Sequence, residues 1–402
     1  MNTSNILIIG GGIGGLALAL FLHKAGIPAA IYEAYAWKDG VGGGLNIAPN
    51  GMNVLATLGL AEEIKKRGAL TTEHCFQNEK GKVLARMSNG NIQRYGQFGV
   101  SITRSALHEV LTIAVNKAGI PIHYNKRLQN IRQQPDSVTA FFEDGTETSG
   151  SLLIGADGIH SATRRIIWPD GPKPAFTGML GVGGFVKLAN VPSLSQRDLA
   201  SLHYVFGAKG FFGYSPADKD YAMWWSNLPS PTAMSAEVLQ DTSVENVKRE
   251  MLAIYKDYEN PVVALIAHSE KVLKQNISDI PSLPVWHQQR VLLMGDAAHA
   301  VSPNAGQGAS MALEDAICLA RLLRDIPGDH EKVFGLFEAA RKPRVERIVA
   351  EGRRRGDDKK IVTPMQAKIR NFMISVFIRL FGSTSQDWLY RYKINWEEKV
   401  AA

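Results

Sequence analysis

Four short stretches place acidic side chains and bare backbone where they can hold a phosphorylated, polyhydroxylated ligand. Gly10-Gly11-Gly12-Ile13-Gly14-Gly15 satisfies G-x-G-x-x-G with glycines at 10, 12 and 15. In that spacing the first glycine permits a tight turn, the second lets backbone approach a pyrophosphate, and the third lets helix and strand pack closely. Amides opening the next helix then face the phosphates. Glu33 ends the following apolar run, placed to accept hydrogen bonds from an adenosine ribose. A carboxylate there disfavours a 2′-phosphate, which points to FAD or NAD rather than NADP. Asp157-Gly158 follows the apolar run 152–156, with Ser161 and Arg164 in register behind it. Asp296 follows the run 291–294, the end of a strand where open α/β sheets place ligand groups. An acid there can fix a polyol chain. The plain alternative for residues 10–15 is a glycine-rich packing turn, and for Asp157-Gly158 an ordinary turn with Arg164 on a helix surface.

Such residues need elements to position them. Ile6-Leu7-Ile8-Ile9 reads as a strand buried on both faces, residues 16–25 as an apolar helix closed by Gly26, and residues 29–32 as a second strand. This is a βαβ unit, and its crossover makes the strands parallel. Pro49-Asn50 opens a short helix closed by Gly59, residues 71–100 read as strands and turns, and Leu107, Leu111 and Val115 mark a helical stripe. Residues 138–143 with Asp144-Gly145 form a hairpin. From about 176 to 275 the character changes. Aromatic strand-like stretches at 211–214 and 221–225 precede an amphipathic helix at 244–258, which predicts a separate antiparallel sheet lobe. A helix from about 307 to 324 follows Gly306-Gln307-Gly308.

The 402 residues exceed the roughly 250–300 at which one core stops growing, so two lobes are expected. A net charge of +7 suits an anionic cofactor or substrate. No basic stripe or recognisable module supports nucleic-acid binding. Arg353-Arg354-Arg355, followed by Asp357 and Asp358, reads as a solvated helix face. Two distant cysteines, Cys75 and Cys318, exclude a disulfide framework or a Cys-based zinc cluster and fit a reducing cytosol. The chain lacks a basic leader and an apolar run of about 18 residues, so a cytoplasmic protein with no transmembrane segment is expected. A monomer or weak homo-oligomer without a metal completes this expectation. Ile369, Phe372, Met373, Val376, Phe377 and Leu380, flanked by Lys368, Arg370 and Arg379, have helical spacing. That pattern suits a membrane-surface helix or, as expected here, one packed across two lobes near a pocket.

Residues 153–164 (Leu-Ile-Gly-Ala-Asp-Gly-Ile-His-Ser-Ala-Thr-Arg) resemble the Asp-Gly fingerprint of the single-component, class A, FAD-dependent aromatic hydroxylases. Residues 293–299 resemble the second, Gly-Asp fingerprint of this flavoprotein monooxygenase family. The match continues through Pro303 and Gly306-Gln307-Gly308 to Asp315, and Arg104 with Leu107 and Leu111 fits the family's cofactor arginine helix. The chain resembles salicylate-hydroxylase-like and tetracycline-monooxygenase-like members of that family. The resemblance spans roughly residues 5–350.

It implies an α/β fold: a Rossmann-like FAD domain with a parallel sheet, an antiparallel-sheet substrate domain and a C-terminal helix. The FAD domain would comprise 1–70, 101–175 and 281–360, the substrate domain 71–100 and 176–280, and the helical segment 361–402. Cofactor contacts fall on Gly12, Gly15, Glu33, Gly44, Leu45, Arg104, Asp157, Asp296, Gly306, Gln307 and Gly308. Asp296 would hold the ribityl hydroxyls, and amides at 306–308 the negative charge of reduced flavin. No second dinucleotide turn follows, so NAD(P)H is expected as a transient co-substrate. The implied reaction is hydroxylation of an aromatic or polycyclic small molecule by O2 through a flavin C4a-hydroperoxide. Rival readings are a flavin-dependent reductase or dehydrogenase on the same scaffold, or a flavin-holding redox sensor.

The loop 42–50 resembles the one that wraps the isoalloxazine ring. Some relatives acting on phenol or hydroxypyridine acids carry a histidine base where this chain has Asn46, which hydrogen-bonds but is no base. Tyr214 is the candidate for substrate contact or proton handling. Phe185, Trp224 and Trp225 are candidates for an aromatic pocket wall, and Pro303 is placed by resemblance near oxygen transfer. His299 is expected in packing and cofactor contacts.

Overall fold

Short apolar runs form parallel strands where both faces can be covered. In the computed structural model, which describes residues 5–36, 42–240, 243–357, 359, 361–382 and 384–400, six strands make one such sheet. Their order is His287–Gln288, Val291–Leu293, Leu152–Gly155, Ile6–Ile9, Ala29–Tyr32 and Ile122–His123. Neighbours run parallel except the first pair. The helix Ile13–Lys24 is apolar on nearly every side because Gly308–Asp325 packs along it, away from solvent. The expected hairpin is present as Val138–Phe142 and Glu147–Gly150, extended by Leu128–Gln133.

A second sheet has seven strands, in the order Lys271–Asp279, Ala175–Lys187, Tyr221–Pro229, Gly210–Pro216, Ser201–Gly207, Glu73–Asn78 and Val83–Ser88. It is antiparallel except where Ser201–Gly207 meets Glu73–Asn78. Those two strands come from distant parts of the chain, and a long connection permits parallel pairing. Helices Val244–Tyr255 and Val262–Ala267 cover its outer face and enclose a second core with Val182, Val186, Phe212 and Trp224. The inner face turns toward the parallel sheet's lobe. A small third sheet joins Gly44–Ile47, Gln97–Thr103 and Ala69–Thr71, with Gly90–Asn91 beside Gln97–Thr103. Within 71–100, then, Glu73–Asn78 and Val83–Ser88 enter the large sheet, whereas the strand beginning at Gln97 belongs to the small one.

After the long helix His330–Asp357, the helix Pro364–Phe381 lies against Val83–Ser88 and Ser201–Gly207. Among the described residues no helix is long and apolar enough to cross a membrane. Residues 1–4, on which the expectation about a leader falls, and Asp358 lie outside the described residues.

Candidate active site

The carboxyl ends of the parallel strands and the inner face of the seven-stranded sheet enclose one continuous cavity of about 1840 Å³. That is nearly twice the upper range of roughly 300–1,000 Å³ for a pocket taking one drug-sized ligand. At one end the glycine turn divides its work. Gly10 has φ +108°, and a Cβ there would meet the Ala156 carbonyl oxygen at 2.5 Å. A Cβ on Gly15 would lie 2.1 Å from the Gly10 carbonyl oxygen, so Gly15 is required for the helix to approach the strand. Gly12 differs: a Cβ there meets nothing within 4 Å and would project into open space. Gly12 is also the N-cap of Ile13–Lys24, with no side chain capping its first amides. Glu33 Oε2 accepts from the Gly11 amide at 2.7 Å and Oε1 from Tyr35 N at 2.9 Å. The carboxylate thus braces the turn while keeping lone pairs for another ligand.

Asp157 is more fully engaged. Its Oδ1 accepts from Ser161 Oγ at 2.6 Å, and its Oδ2 from Thr163 N at 2.9 Å and Thr163 Oγ1 at 3.0 Å. The carboxylate orders the loop, which lines the cavity beside it. Buried Arg164 donates to the Ile159 and Ala297 carbonyls, tying this loop to the one carrying Asp296. Asp296 itself is half-buried and lines the cavity, and its carboxylate hydrogen-bonds no other described residue. Nearby, Pro303 and Gly306-Gln307-Gly308 line the wall, and the helix Gly308–Asp325 starts without a side-chain cap. The Gln307 side chain turns away, its Oε1 accepting from Asn50 Nδ2 at 3.0 Å.

Behind this wall lies a buried ionic lattice. Asp315 accepts from Gly295 N at 2.9 Å, His299 Nε2 at 2.6 Å and Arg341 Nε at 2.7 Å. Burial would raise the Asp315 carboxyl, but His299 and Arg341 overcome it and hold it well below the usual carboxylate range. Glu314 pairs with Arg341 and Arg344, each at 2.7 Å, and accepts from Asn50 at 2.7 Å. His299 belongs to this lattice and packs at a tilt against Trp286, outside the cavity lining.

On the opposite side, a Cβ on Gly44 would lie 1.8 Å from Met223 Sδ, so any side chain there would displace the methionine. Leu45 and Asn46 follow it along the wall, and Arg104 lies with its aliphatic stem against Gly42. Asn46 Nδ2 donates to Thr71 Oγ1 at 2.9 Å and Ser101 Oγ at 3.3 Å, and Oδ1 accepts from Asn89 at 3.4 Å. Its amide is fixed rather than available as a proton acceptor.

The aromatic wall requires correction. Strand alternation sends adjacent residues to opposite faces. Phe185, Met223 and Trp225 face the cavity, with the Trp225 ring lying across Gly213, where a Cβ would meet it at 2.3 Å. Trp224 points the other way: its Nε1 donates to Ser269 Oγ at 2.7 Å and its ring stacks on Phe212. Tyr214, paired with Trp224 across the sheet, is also in the outer core and lines no part of the cavity. It stacks on His203 at 4.2 Å, and burial pushes its hydroxyl pKa far up. Tyr214 is therefore removed from the substrate wall, and Trp224 borders the cavity but turns its ring into the outer core.

A polar chain on the cavity face takes the place proposed for Tyr214. His74 Nδ1 lies 3.2 Å from the Tyr204 hydroxyl and Nε2 3.2 Å from the Tyr390 hydroxyl, which reaches Asn89 Oδ1 at 3.5 Å. Desolvation first, then the Arg355 charge, lowers His74 to about 3 and keeps it neutral; burial pushes Tyr204 up to about 12. Arg355 does not share the solvated face expected for its run. Arg353 is exposed and Arg354 is exposed at the cavity's edge, whereas Arg355 is half-buried in the cavity wall, with Nε donating to Glu351 Oε1 at 2.8 Å. Lys359 and Arg370 line the same end. The one signal for His74 was its alternation with Phe76; Tyr390 meets it across 316 positions, beyond any sequence pattern.

The open space at Gly12, two uncapped helix starts and the unengaged Asp296 fit a flavin dinucleotide laid along the first half of the cavity. Comparison with known proteins agrees. The family model described as FAD binding domain matches residues 3–351. The chain is 30% identical over 397 residues to 3-amino-4-hydroxybenzoate 2-monooxygenase PtmB3 of Streptomyces platensis, covering 98% of this chain and 97% of that protein. It is 28% identical to a 6-hydroxynicotinate 3-monooxygenase of Pseudomonas fluorescens, covering 85% and 89%. Among solved structures, Klebsiella pneumoniae HpxO complexed with FAD and uric acid superposes with a TM-score of 0.83 at 25% identity, covering 96% of this chain and 97% of that one. The chain belongs to the FAD-dependent monooxygenases of this FAD-binding family.

Proposed function

We propose that the protein uses NAD(P)H and O2 to hydroxylate an aromatic or polycyclic small molecule that lies on the inner face of the seven-stranded sheet. The observation carrying this reading is the single cavity joining the glycine turn, Asp296 and residues 306–308 to an aromatic sheet face. In this reading residues 1–70, 101–175 and 281–360 carry the cofactor, 71–100 and 176–280 the substrate, and 361–402 close the far side. Gly12 and the first amides of Ile13–Lys24 take the pyrophosphate, Glu33 the ribose, and Asp296 the ribityl hydroxyls. Gly44, Leu45, Arg104 and the loop at Asp157 flank the cofactor. Bound FAD supplies two-electron reduction and oxygen activation.

The chain's own residues do the rest. Phe185, Met223 and Trp225 give the substrate ring an apolar bed that excludes water. Pro303 and the amides at 306–308 border the meeting point of cofactor and substrate, where a helix start favours developing negative charge. Tyr204 lines the cavity with its hydroxyl against His74 Nδ1, so it is placed to hydrogen-bond a phenolic or enolic substrate oxygen. A histidine lowered to about 3 stays neutral at neutral pH, so it orients that hydroxyl rather than taking its proton. Arg355, Lys359 and Arg370 suit a substrate carrying an anionic group, in keeping with relatives named for hydroxybenzoate and hydroxynicotinate.

The test is a panel of aromatic acids, phenols and fused heterocycles offered to the flavin-loaded protein. A true substrate accelerates NAD(P)H oxidation and yields a product heavier by one oxygen. Equal turnover under argon would instead support the reductase reading, and bound flavin without nicotinamide oxidation across the panel the sensor reading.

A further inference from the structure

The helix Pro364–Phe381 has two faces with opposite demands. Ala367, Asn371, Ile374 and Ile378 repeat at helical spacing and turn toward the protein. Asn371 Nδ2 donates to the Phe206 carbonyl at 3.2 Å and Ser375 Oγ to the Leu84 carbonyl at 2.9 Å, which fixes the rotation of the helix. Two residues earlier in phase runs a second stripe, Met365, Ile369, Phe372, Val376 and Leu380. It points straight outward, with Met365 exposed to 73%, Phe372 to 67% and Leu380 to 65%. Of eighteen exposed large hydrophobic side chains among the described residues, nine fall between Ile361 and Phe381. Scattered apolar exposure is normal, but a contiguous stripe of this size marks a contact surface.

The helix holds this display firmly. Thr363 and Gln366 form a reciprocal capping box, and Pro364 occupies the first turn. The surface is therefore preformed rather than induced.

Charge decides between occupants. The segment Pro364–Phe381 contains no aspartate or glutamate. Lys368 and Arg379, both exposed, are eleven residues apart and so lie on one flank of the apolar stripe. In an antiparallel two-fold pairing that flank meets its own copy, cation against cation with no acid between them. An anionic lipid surface answers both features at once: acyl chains take the stripe and phosphate headgroups take the flanking cations. The chain's net charge of +7 acts in the same direction.

We propose that the outward face of Pro364–Phe381 docks the protein peripherally on an anionic bilayer. The same helix contributes Met373, Phe377 and Phe381 to the cavity wall while leaving each about half exposed. Docking thus sets the rim of the cavity at the level of the lipid. The docking does not depend on which reaction the cavity performs.

The test is flotation of the flavin-loaded full-length protein with vesicles of phosphatidylglycerol and phosphatidylcholine in equal parts, against vesicles of phosphatidylcholine alone. Binding to the anionic vesicles, at least about tenfold weaker to neutral ones and weakened by salt, supports the proposal. The double variant Phe372→Glu, Leu380→Glu changes two exposed side chains outside the cavity, and should lower vesicle binding at least about tenfold with flavin content unchanged. No flotation with anionic vesicles at low salt overturns the proposal. Flotation that the double variant leaves intact also overturns it, because the contact then lies elsewhere. A concentration-dependent dimer dissolved by the double variant, without vesicle binding, assigns the stripe to a second copy.

Discussion

Gly12 and Gly15 sit three residues apart in one motif, yet they should fail in opposite ways. At Gly12, φ is −76° and ψ −177°, extended backbone that any residue adopts, and a methyl would meet nothing within 4 Å. Gly12→Ala should therefore leave the flavin-free fold intact, or stabilise it by about 0.4–1 kcal/mol through a stiffer unfolded chain. That empty space is where a pyrophosphate would lie. Losing one charge-assisted hydrogen bond there costs about 1.5–3 kcal/mol, roughly a 10- to 150-fold weaker Kd for FAD. At Gly15 the methyl carbon would lie 2.1 Å from a backbone oxygen that cannot swing aside. Gly15→Ala should lose about 3 kcal/mol or more of stability before any ligand is added, the upper end for an overpacked site. Urea unfolding of both flavin-free variants, with fluorescence titration of FAD, separates the two effects. If Gly12→Ala binds FAD like the parent, or unfolds as early as Gly15→Ala, the division of labour within the turn is wrong.

Other consequences can be checked on the same protein. Asp296→Ala removes a carboxylate that hydrogen-bonds no other described residue. It should weaken FAD retention about tenfold or more while the melting temperature of the flavin-free form stays put; unchanged flavin content would argue against a ribityl contact. His74 is lowered from 6.5 to about 3 in the folded state, so between those values the unfolded chain binds the extra proton and stability falls as pH falls. The loss near pH 5 is about 2 kcal/mol relative to pH 8. His74→Gln should remove roughly half of that acid limb near pH 5, leaving a comparable contribution from His203, which is lowered to about 4; an unaltered slope in urea midpoints against pH would contradict the buried neutral imidazole. Tyr214→Phe loses a 3.4 Å hydrogen bond to Gln77 outside the cavity and should keep kcat within about twofold, whereas Trp225→Ala should raise KM about tenfold or more. Steady-state kinetics with the reverse ranking would return Tyr214 to the substrate wall.

Features set by local chemistry were legible in the sequence. Glycines at 10, 12 and 15 between an apolar run and an apolar helix leave few other arrangements, and the hairpin at Asp144-Gly145 follows from its turn. The inner sheet face was harder because its alternation is masked. Gly181, Gly183 and Gly213 stand on the cavity side, so aromatic residues on both faces of neighbouring strands looked equally fit for a pocket. What assigns Tyr214 and Trp224 outward is the helix Val244–Tyr255 packed behind them, a tertiary choice that outweighs pattern. Arg355 was hidden in a charged run, since its neighbours Arg353 and Arg354 do face solvent. The His74, Tyr204 and Tyr390 chain joins two sheet strands to a short terminal helix, a meeting that no spacing records.

Under the proposed function, one oxygen atom from O2 reaches a substrate lying on the Trp225 side of the cavity. Turnover of the best panel substrate under isotopically heavy O2, with NAD(P)H supplied and the product weighed by mass spectrometry, tests it directly. One heavy oxygen in the product, and no turnover when O2 is replaced by argon, is the expected result. A product without label, or equal turnover under argon, would contradict it.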